Sequence, residues 1–185
     1  ADLSVMGRTP TFEESVYPQV LRTEGVRAAW PMVRVEAILD TGQEEASLTD
    51  RLFLEIIGLD FFAPMDIPWQ STSADLSTSM AIPGWAAVTP TMAERMGWAV
   101  GDTFQVASGS RQIVLTVGAL VDFQAMSPLA SPKLVVMDIA QVQDLFGQHG
   151  RIHQVDIKLN PGADAAAVQA VLEAKLGETV RVVTP

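Results

Sequence analysis

The sequence predicts an α+β fold built as two lobes, and three observations carry that prediction. A strand, a helix, a glycine stop and a second strand succeed one another from Leu3 to Leu39, and the same succession returns from Val155 to Val183. Between these two units the chain is mainly short β-forming runs separated by turn residues, Ser108-Gly109-Ser110 being the tightest. With 185 residues, 48% of them hydrophobic and 18% charged, the chain is long and apolar enough to bury a core without disulfides or structural metal.

The elements follow in order. Leu3-Ser4-Val5-Met6 reads as the first strand. Thr11-Phe12-Glu13-Glu14 has capping-box form, which predicts a helix from Thr11 to about Thr23, kinked at Pro18 and closed by Gly25. Val26 to Leu39 is one long strand, expected to bend or bulge at Pro31. Leu52 to Ile57 is apolar on both faces and therefore central. Phe61 to Gly84 has neither helical nor strand period and is broken by Pro64, Pro68 and Pro83; irregular stretches of this length are usually functional or disordered.

Ala86-Ala87-Val88 resumes the strands, and Thr89-Pro90 opens a short helix that Gly97 stops. Thr103 to Ala107 and Arg111 to Val121 form a hairpin, followed by a loop holding Pro128 and Pro132. Leu134 to Met137 is a strand, and Asp138 caps a helix to Gly147 with Gln141 completing a second capping box. Val155, Ile157 and Leu159 alternate with polar residues in a half-buried strand. A helix from about Asp164 carries Val168, Val171, Leu172 and Leu176 as its apolar stripe and ends at Gly177. Paired β-α-β units of this size build a split, ferredoxin-like sheet with both helices on one face, the β-rich middle being an insertion.

Composition and motifs exclude most chemistry. The net charge of −10 comes from 22 acidic and 12 basic side chains with no basic run, which argues against nucleic acid and against adsorption to anionic lipid. No cysteine is present, so thiolate nucleophiles and cysteine-based zinc sites are absent. His149 and His153 have metal-ligand spacing for a helix, but Gly150 between them marks a helix end, and two loop histidines are the expectation. No serine stands in a G-x-S-x-G elbow, and no glycine-rich phosphate loop appears. Glu13-Glu14 and Glu44-Glu45 are sequence neighbours and cannot face each other across a cleft. No catalytic, cofactor-binding or metal-binding residue is assigned.

The remaining candidate is an interaction surface in the irregular segment: Phe61, Phe62, Met65, Trp69, Met80, Ile82 and Trp85, of the aromatic and Met types favoured at interfaces. The competing account is that these side chains fill the seam between lobes. Replacing Phe62 or Trp69 by Asp separates the two, since loss of folding would mark core.

No stretch reaches the roughly 20 consecutive apolar residues of a transmembrane helix. Strand-like runs begin at Leu3 and end at Val183; such tight ends lead us to expect a fragment bounded by further segments.

The ordered motifs resemble a known family. Ala1-Asp2-Leu3-Ser4-Val5, Gly25-Val26 and Ile57-Gly58-Leu59-Asp60 are similar to the start of the periplasmic core domain of FtsX-like and MacB-like ABC transporter permeases. The middle is more so, with Val88-Thr89, Met92-Ala93-Glu94-Arg95-Met96-Gly97, Val100-Gly101-Asp102-Thr103 and Leu115-Thr116-Val117-Gly118-Ala119-Leu120. Met137-Asp138-Ile139-Ala140-Gln141, Leu145-Phe146-Gly147, Val155-Asp156-Ile157-Lys158-Leu159 and Pro161-Gly162-Ala163-Asp164 continue the series. Phe61 to Trp85 matches no motif of that family.

The resemblance implies a porter-like lobe from 1–61 and 133–185 and an inserted β-rich, Sabre-like lobe from 62–132. It also implies placement between the first two of four transmembrane helices, on the periplasmic or extracytoplasmic side of the inner (cytoplasmic) membrane. The implied partners are the protein's own transmembrane helices, an ABC ATPase subunit or domain, a second permease copy, and a periplasmic adaptor or substrate protein. The competing class is an extracytoplasmic small-molecule binding or sensor domain, which a pocket lined by Trp69 and Trp85 would favour.

Overall fold

The computed structural model describes residues 1–42, 51–63 and 81–185. The elements are β1 (Leu3–Gly7), β2 (Phe12–Glu13), α1 (Val16–Leu21), β3 (Val26–Leu39), β4 (Phe53–Leu59) and β5 (Trp85–Val88). They continue as α2 (Pro90–Met96), β6 (Thr103–Ser108), β7 (Arg111–Leu120), α3 (Phe123–Met126) and β8 (Leu134–Asp138). The last are α4 (Ile139–Leu145), β9 (Arg151–Ile152), β10 (Gln154–Leu159), α5 (Ala165–Leu176) and β11 (Val180–Val183). The chain divides into two compact units, Ala1–Val33 with Leu59–Met65 and Gln148–Pro185, and Arg34–Gly58 with Asp66–Gly147.

In the first unit the strand order is β11-β1-β10-β3, with each neighbouring pair antiparallel. Each β-α-β segment thus contributes two strands separated by a strand of the other. The alternation visible in the sequence buries Leu3, Val5, Val155, Ile157, Val180 and Val182. Removing each such side chain from water is worth about 1.5–3 kcal/mol. Helices α1 and α5 lie together: the Lys175 ammonium donates to the Gln19 carbonyl at 3.0 Å and to Thr23 Oγ1 at 3.1 Å. Asp164 caps α5 by accepting from the Ala166 and Ala167 amides. Val168 and Leu172 are buried, whereas Val171, placed in the same stripe from sequence, is exposed.

The helix expected from Thr11 begins later. Arg151 draws Thr11 away, its guanidinium donating to the Thr11 hydroxyl and carbonyl at 3.1 and 2.7 Å, and Phe12–Glu13 pair with β9 instead. Ser15 then becomes the N-cap residue, and Pro18 falls in the first turn of α1, where no intrahelical N–H bond is lost. Pro31 stays in register opposite Val155; the irregularity in this pair of strands lies between Lys158 and Leu159.

In the second unit β3, β4, β8, β5, β7 and β6 are neighbours in that order, and β3 also pairs with β6, so the strands close into a barrel. Phe104 and Val106 of β6, Ile113, Leu115 and Val117 of β7, and Leu54 and Ile56 of β4 are buried at alternate positions. Strand β5 is buried along its whole length and β8 from Val135 to Asp138. Helix α4 packs so closely on β4 that a Cβ on Gly58 would lie 3.1 Å from Ile139 Cα and from Val142 Cβ. Thr89 caps α2 through the Met92 amide, and Gly97 at φ 70° ends it. Asp138 caps α4 by accepting from the Ala140 amide, and Gln141 Oε1 accepts from the Gly84 amide at 2.8 Å.

The compact units are drawn differently from the segments 1–61, 62–132 and 133–185. The end of β3, β4 and residues 133–147 belong to the second unit, because β4, β8 and the end of β3 find their partners there.

Candidate functional site

The four described candidates of the irregular segment, Phe61, Phe62, Ile82 and Trp85, have separate fates. Asp60 opens a turn in which its Oδ1 accepts from the Phe62 amide at 2.9 Å and its carbonyl accepts from Ala63 at 3.2 Å. This Asx-type turn drives Phe61 into the first unit at 3% exposure and leaves Phe62 outside at 72%. Tyr17 of α1 senses the same turn: burial first, and the Asp60 charge second, hold its phenol above its ordinary pKa.

Ile82 and Trp85 belong to the second unit. Ile82 is half-buried, and its carbonyl accepts from the Trp85 amide. Trp85 is 6% exposed and lies over Gly118, so Phe61 and Trp85 are buried side chains, as the competing core account expects. Met65, Trp69 and Met80 lie outside the described residues. The pocket envisaged between Trp69 and Trp85 therefore has no described counterpart.

Two clefts in the second unit had no sequence signal. One of about 330 Å³ is bounded by Gly84, Asp138, Gln141 and Asp144. The other, about 530 Å³, is bounded by Asp40, Met96, Trp98, Phe104, Gln105 and Val114. In it the Trp98 and Phe104 rings stack at 4.3 Å and 20°. The third feature is the connection between β7 and β8, in which Leu129 is 97% exposed. Its sequence signal was the lack of any charged residue between Asp122 and Lys133.

His149 and His153 do not share a helix, since α4 ends at Leu145. The His153 backbone amide donates to the Met32 carbonyl at 2.8 Å, and both histidines lie outside helices and strands, in keeping with the two loop histidines expected. Among the described residues no group of three or more His, Asp or Glu side chains could hold a metal ion, and no helix is long and apolar enough to cross a membrane.

The MacB-like periplasmic core domain model matches residues 2–175. An uncharacterized ABC transporter permease protein of Mycobacterium tuberculosis is 27% identical over 126 residues, which cover 65% of this chain. The chain spans only 15% of that relative's length. The periplasmic region of MacB from Actinobacillus actinomycetemcomitans superposes with a TM-score of 0.61 at 8% identity, over 98% of this chain and 87% of that one. The extracellular domain of the noncanonic ABC-type transporter YknZ from Gram-positive bacteria gives 0.62 at 10% identity, over 98% and 99%. At such identities these two likenesses speak for the fold, and the match over residues 2–175 for the family: the chain belongs to the MacB-like periplasmic core domains.

Proposed function

We propose that the chain is the extracytoplasmic part of an ABC permease, carried between two transmembrane helices, and that it converts their ATP-driven motion into handling of a substrate or engagement of a partner protein. The observation that carries this reading is the pairing of β1 with β11. They are antiparallel neighbours with Ser4 opposite Val183, so the chain runs into and out of the first unit side by side. Neighbouring strands stand about 4.8 Å apart and packed helices about 8–10 Å apart, so two adjacent membrane helices can continue into these strands with little splaying. A displacement of either helix would then be applied to a hydrogen-bonded strand pair that moves as one body. The ATPase subunit or domain, a second permease copy and a periplasmic adaptor or substrate protein are the partners this role requires. Phe62, held outward by the Asp60 turn, is the described residue of the irregular segment best placed to meet one.

The test uses the lack of cysteine in this chain. Val100, 61% exposed, is replaced by Cys in the full permease. An impermeant maleimide should label it in intact cells, and spin labels there, one per protomer, should report a changed distance between copies when ATP is bound. Labelling only after lysis would overturn the placement, and an unchanged distance would overturn the coupling.

A second reading, an extracytoplasmic small-molecule binding domain, draws support from the cleft of about 530 Å³ beside Trp98 and Phe104, within the size range of ligand sites. Ligand-dependent quenching of Trp98 fluorescence, absent in Phe104→Ala, would favour it.

A further inference from the structure

The cleft beside Trp98 and Phe104 lies within the second unit, and backbone hydrogen bonds fix its walls. Trp98 leaves α2 just after Gly97, and its amide donates to the Ala93 carbonyl at 2.8 Å. The turn that follows is tied by the Ala99 amide donating to Asp102 Oδ2 at 2.8 Å, and it is joined to β7 by the Val117 amide donating to the Asp102 carbonyl at 2.8 Å. The half-buried Trp98 ring is thereby held against Phe104, which is 6% exposed. On the other side β3 ends at Leu39, and the Asp40 amide donates to the Gln105 carbonyl at 2.9 Å. Asp40 Oδ1 accepts from the Gly42 amide at 2.8 Å, a turn that orients the carboxylate while using one of its two oxygens.

Among the described residues that bound the cleft, Asp40 is the one charged side chain. The basic residues on the neighbouring elements are engaged or placed elsewhere: Arg34 pairs with Glu55 at 3.2 Å, Arg111 donates to the Leu145 carbonyl at 3.3 Å, and Arg95 does not bound the cleft. The remaining wall is apolar and aromatic with a polar margin. Val114 of β7 is 52% exposed, and it stands opposite Gln105 of β6, whose amide side chain is exposed beside it.

We infer that this cleft binds a small organic cation, a protonated amine on an apolar body, with the ammonium against Asp40 and the body on Trp98 and Val114. The face of an aromatic ring carries negative potential and attracts a cation, and stacking on Phe104 keeps the indole in place to do so. An anionic ligand would meet the Asp40 carboxylate with no basic side chain on the cleft wall to offset it. A neutral ligand would cover that carboxylate without supplying a charge to replace its water. The walls are fixed before any ligand arrives, so little conformational entropy is lost on binding. The inference rests on the reading of this cleft as a small-molecule site and adds the class of ligand; it does not depend on the transporter reading.

The experiment titrates the chain with four probes: phenethylamine, protonated at neutral pH, its neutral counterpart phenethyl alcohol, the anion hydrocinnamate, and methyl glucoside. Nitrogen–proton NMR spectra read the binding through the Trp98 indole resonance, identified by its loss in Trp98→Phe, and through the Gly42 amide. The result expected is that phenethylamine shifts both resonances and binds about threefold or more tightly than the alcohol, with hydrocinnamate weakest. Asp40→Asn keeps an oxygen that can accept from the Gly42 amide, so it should keep the fold and the Trp98 shift while losing the preference for amine over alcohol. Equal or tighter binding of the alcohol or of hydrocinnamate, or a preference that survives in Asp40→Asn, would overturn the cation and leave a small-molecule site. Shifts from methyl glucoside alone would overturn it in favour of a carbohydrate site. No shift of the Trp98 resonance with any probe would overturn both the inference and the small-molecule reading.

Discussion

Gly118→Ala gives the sharpest test of how the second unit is built. Along β5 and β7, Trp85 is opposite Thr116 and Ala86 opposite Val117, but Ala87 is opposite Ala119, so Gly118 is the residue the register skips. A Cβ added there would lie 2.0 Å from Trp85 Nε1, 2.2 Å from Cε2 and 2.3 Å from Cδ1. The Trp85 ring occupies the space a side chain at position 118 would need. Gly118 is not among the positive-φ glycines, so alanine meets no backbone strain. Where nothing obstructs it, a Gly→Ala change stabilises by about 0.4–1 kcal/mol through the unfolded state. Forcing a methyl into a packed core instead costs about 1–3 kcal/mol.

The sign therefore decides the matter. The variant should unfold earlier, by about 2 kcal/mol or roughly 4–8 °C for a chain of this length. Urea and thermal unfolding, followed by near-ultraviolet circular dichroism, read it. In a Trp85→Ala background, itself destabilised by about 3–5 kcal/mol, the glycine change should become neutral or stabilising. That leaves a coupling of about 1–3 kcal/mol between the two positions. A stabilised Gly118→Ala single variant, or strictly additive effects, would refute the placement of Trp85 over Gly118 and return this tryptophan to the surface.

Three further outcomes are expected. Tyr17 is the sole tyrosine, so absorbance at 295 nm titrates it alone, and its midpoint should lie above 10.0; its folded pKa being raised, the associated stability is present below pH 10 and is lost as pH rises through the folded value. Tyr17→Phe should flatten that alkaline decline. Gln169 Nε2 donates to the Val182 carbonyl at 2.9 Å on β11, the outer strand of the first unit's sheet, so Gln169→Ala should uncover an acceptor there and raise concentration-dependent association in light scattering. Phe62→Asp, at a position 72% exposed, should shift the unfolding midpoint by no more than about 0.5 kcal/mol. In the full permease it should abolish transport, and wild-type transport would count against Phe62 as a contact residue.

What could be read from the sequence was local, and what could not was decided by partners far along the chain. The caps at Thr89, Asp138 and Asp164 act on amides two or three residues away, and each stands where its helix was expected to start. The hairpin at Gly109 and the glycine stops at Gly97 and Gly177 are equally local. Thr11 had the same capping signature, yet Arg151 occupies both its hydroxyl and its carbonyl from 140 positions away. Gln141 had capping-box spacing, and its Oε1 also meets a need no local reading supplies, that of the Gly84 amide 57 positions away. A capping box is satisfied only if no better donor or acceptor reaches it, and that depends on tertiary structure.

The same logic explains why the candidate surface was only partly legible. Phe61 and Phe62 are adjacent and identical in kind, so no hydropathy argument separates them; the Asp60 carboxylate does, by fixing the turn that sends one inward and the other outward. Trp85 reads as an interface residue by type, and only the missing Cβ of Gly118 on a neighbouring strand reveals the slot that receives it. Leu129 is the converse case. Flanked by Pro128 and small residues in a loop, it reads as unremarkable, and its significance arises because Val121, Phe123 and Thr89 fix a frame that keeps it from folding inward. Exposure of a large apolar side chain carries functional meaning where the surrounding backbone is ordered enough to have buried it. By that criterion Leu129 at 97% and Phe62 at 72% are the most exposed of the large apolar side chains among the described residues, each held outward on a hydrogen-bonded frame.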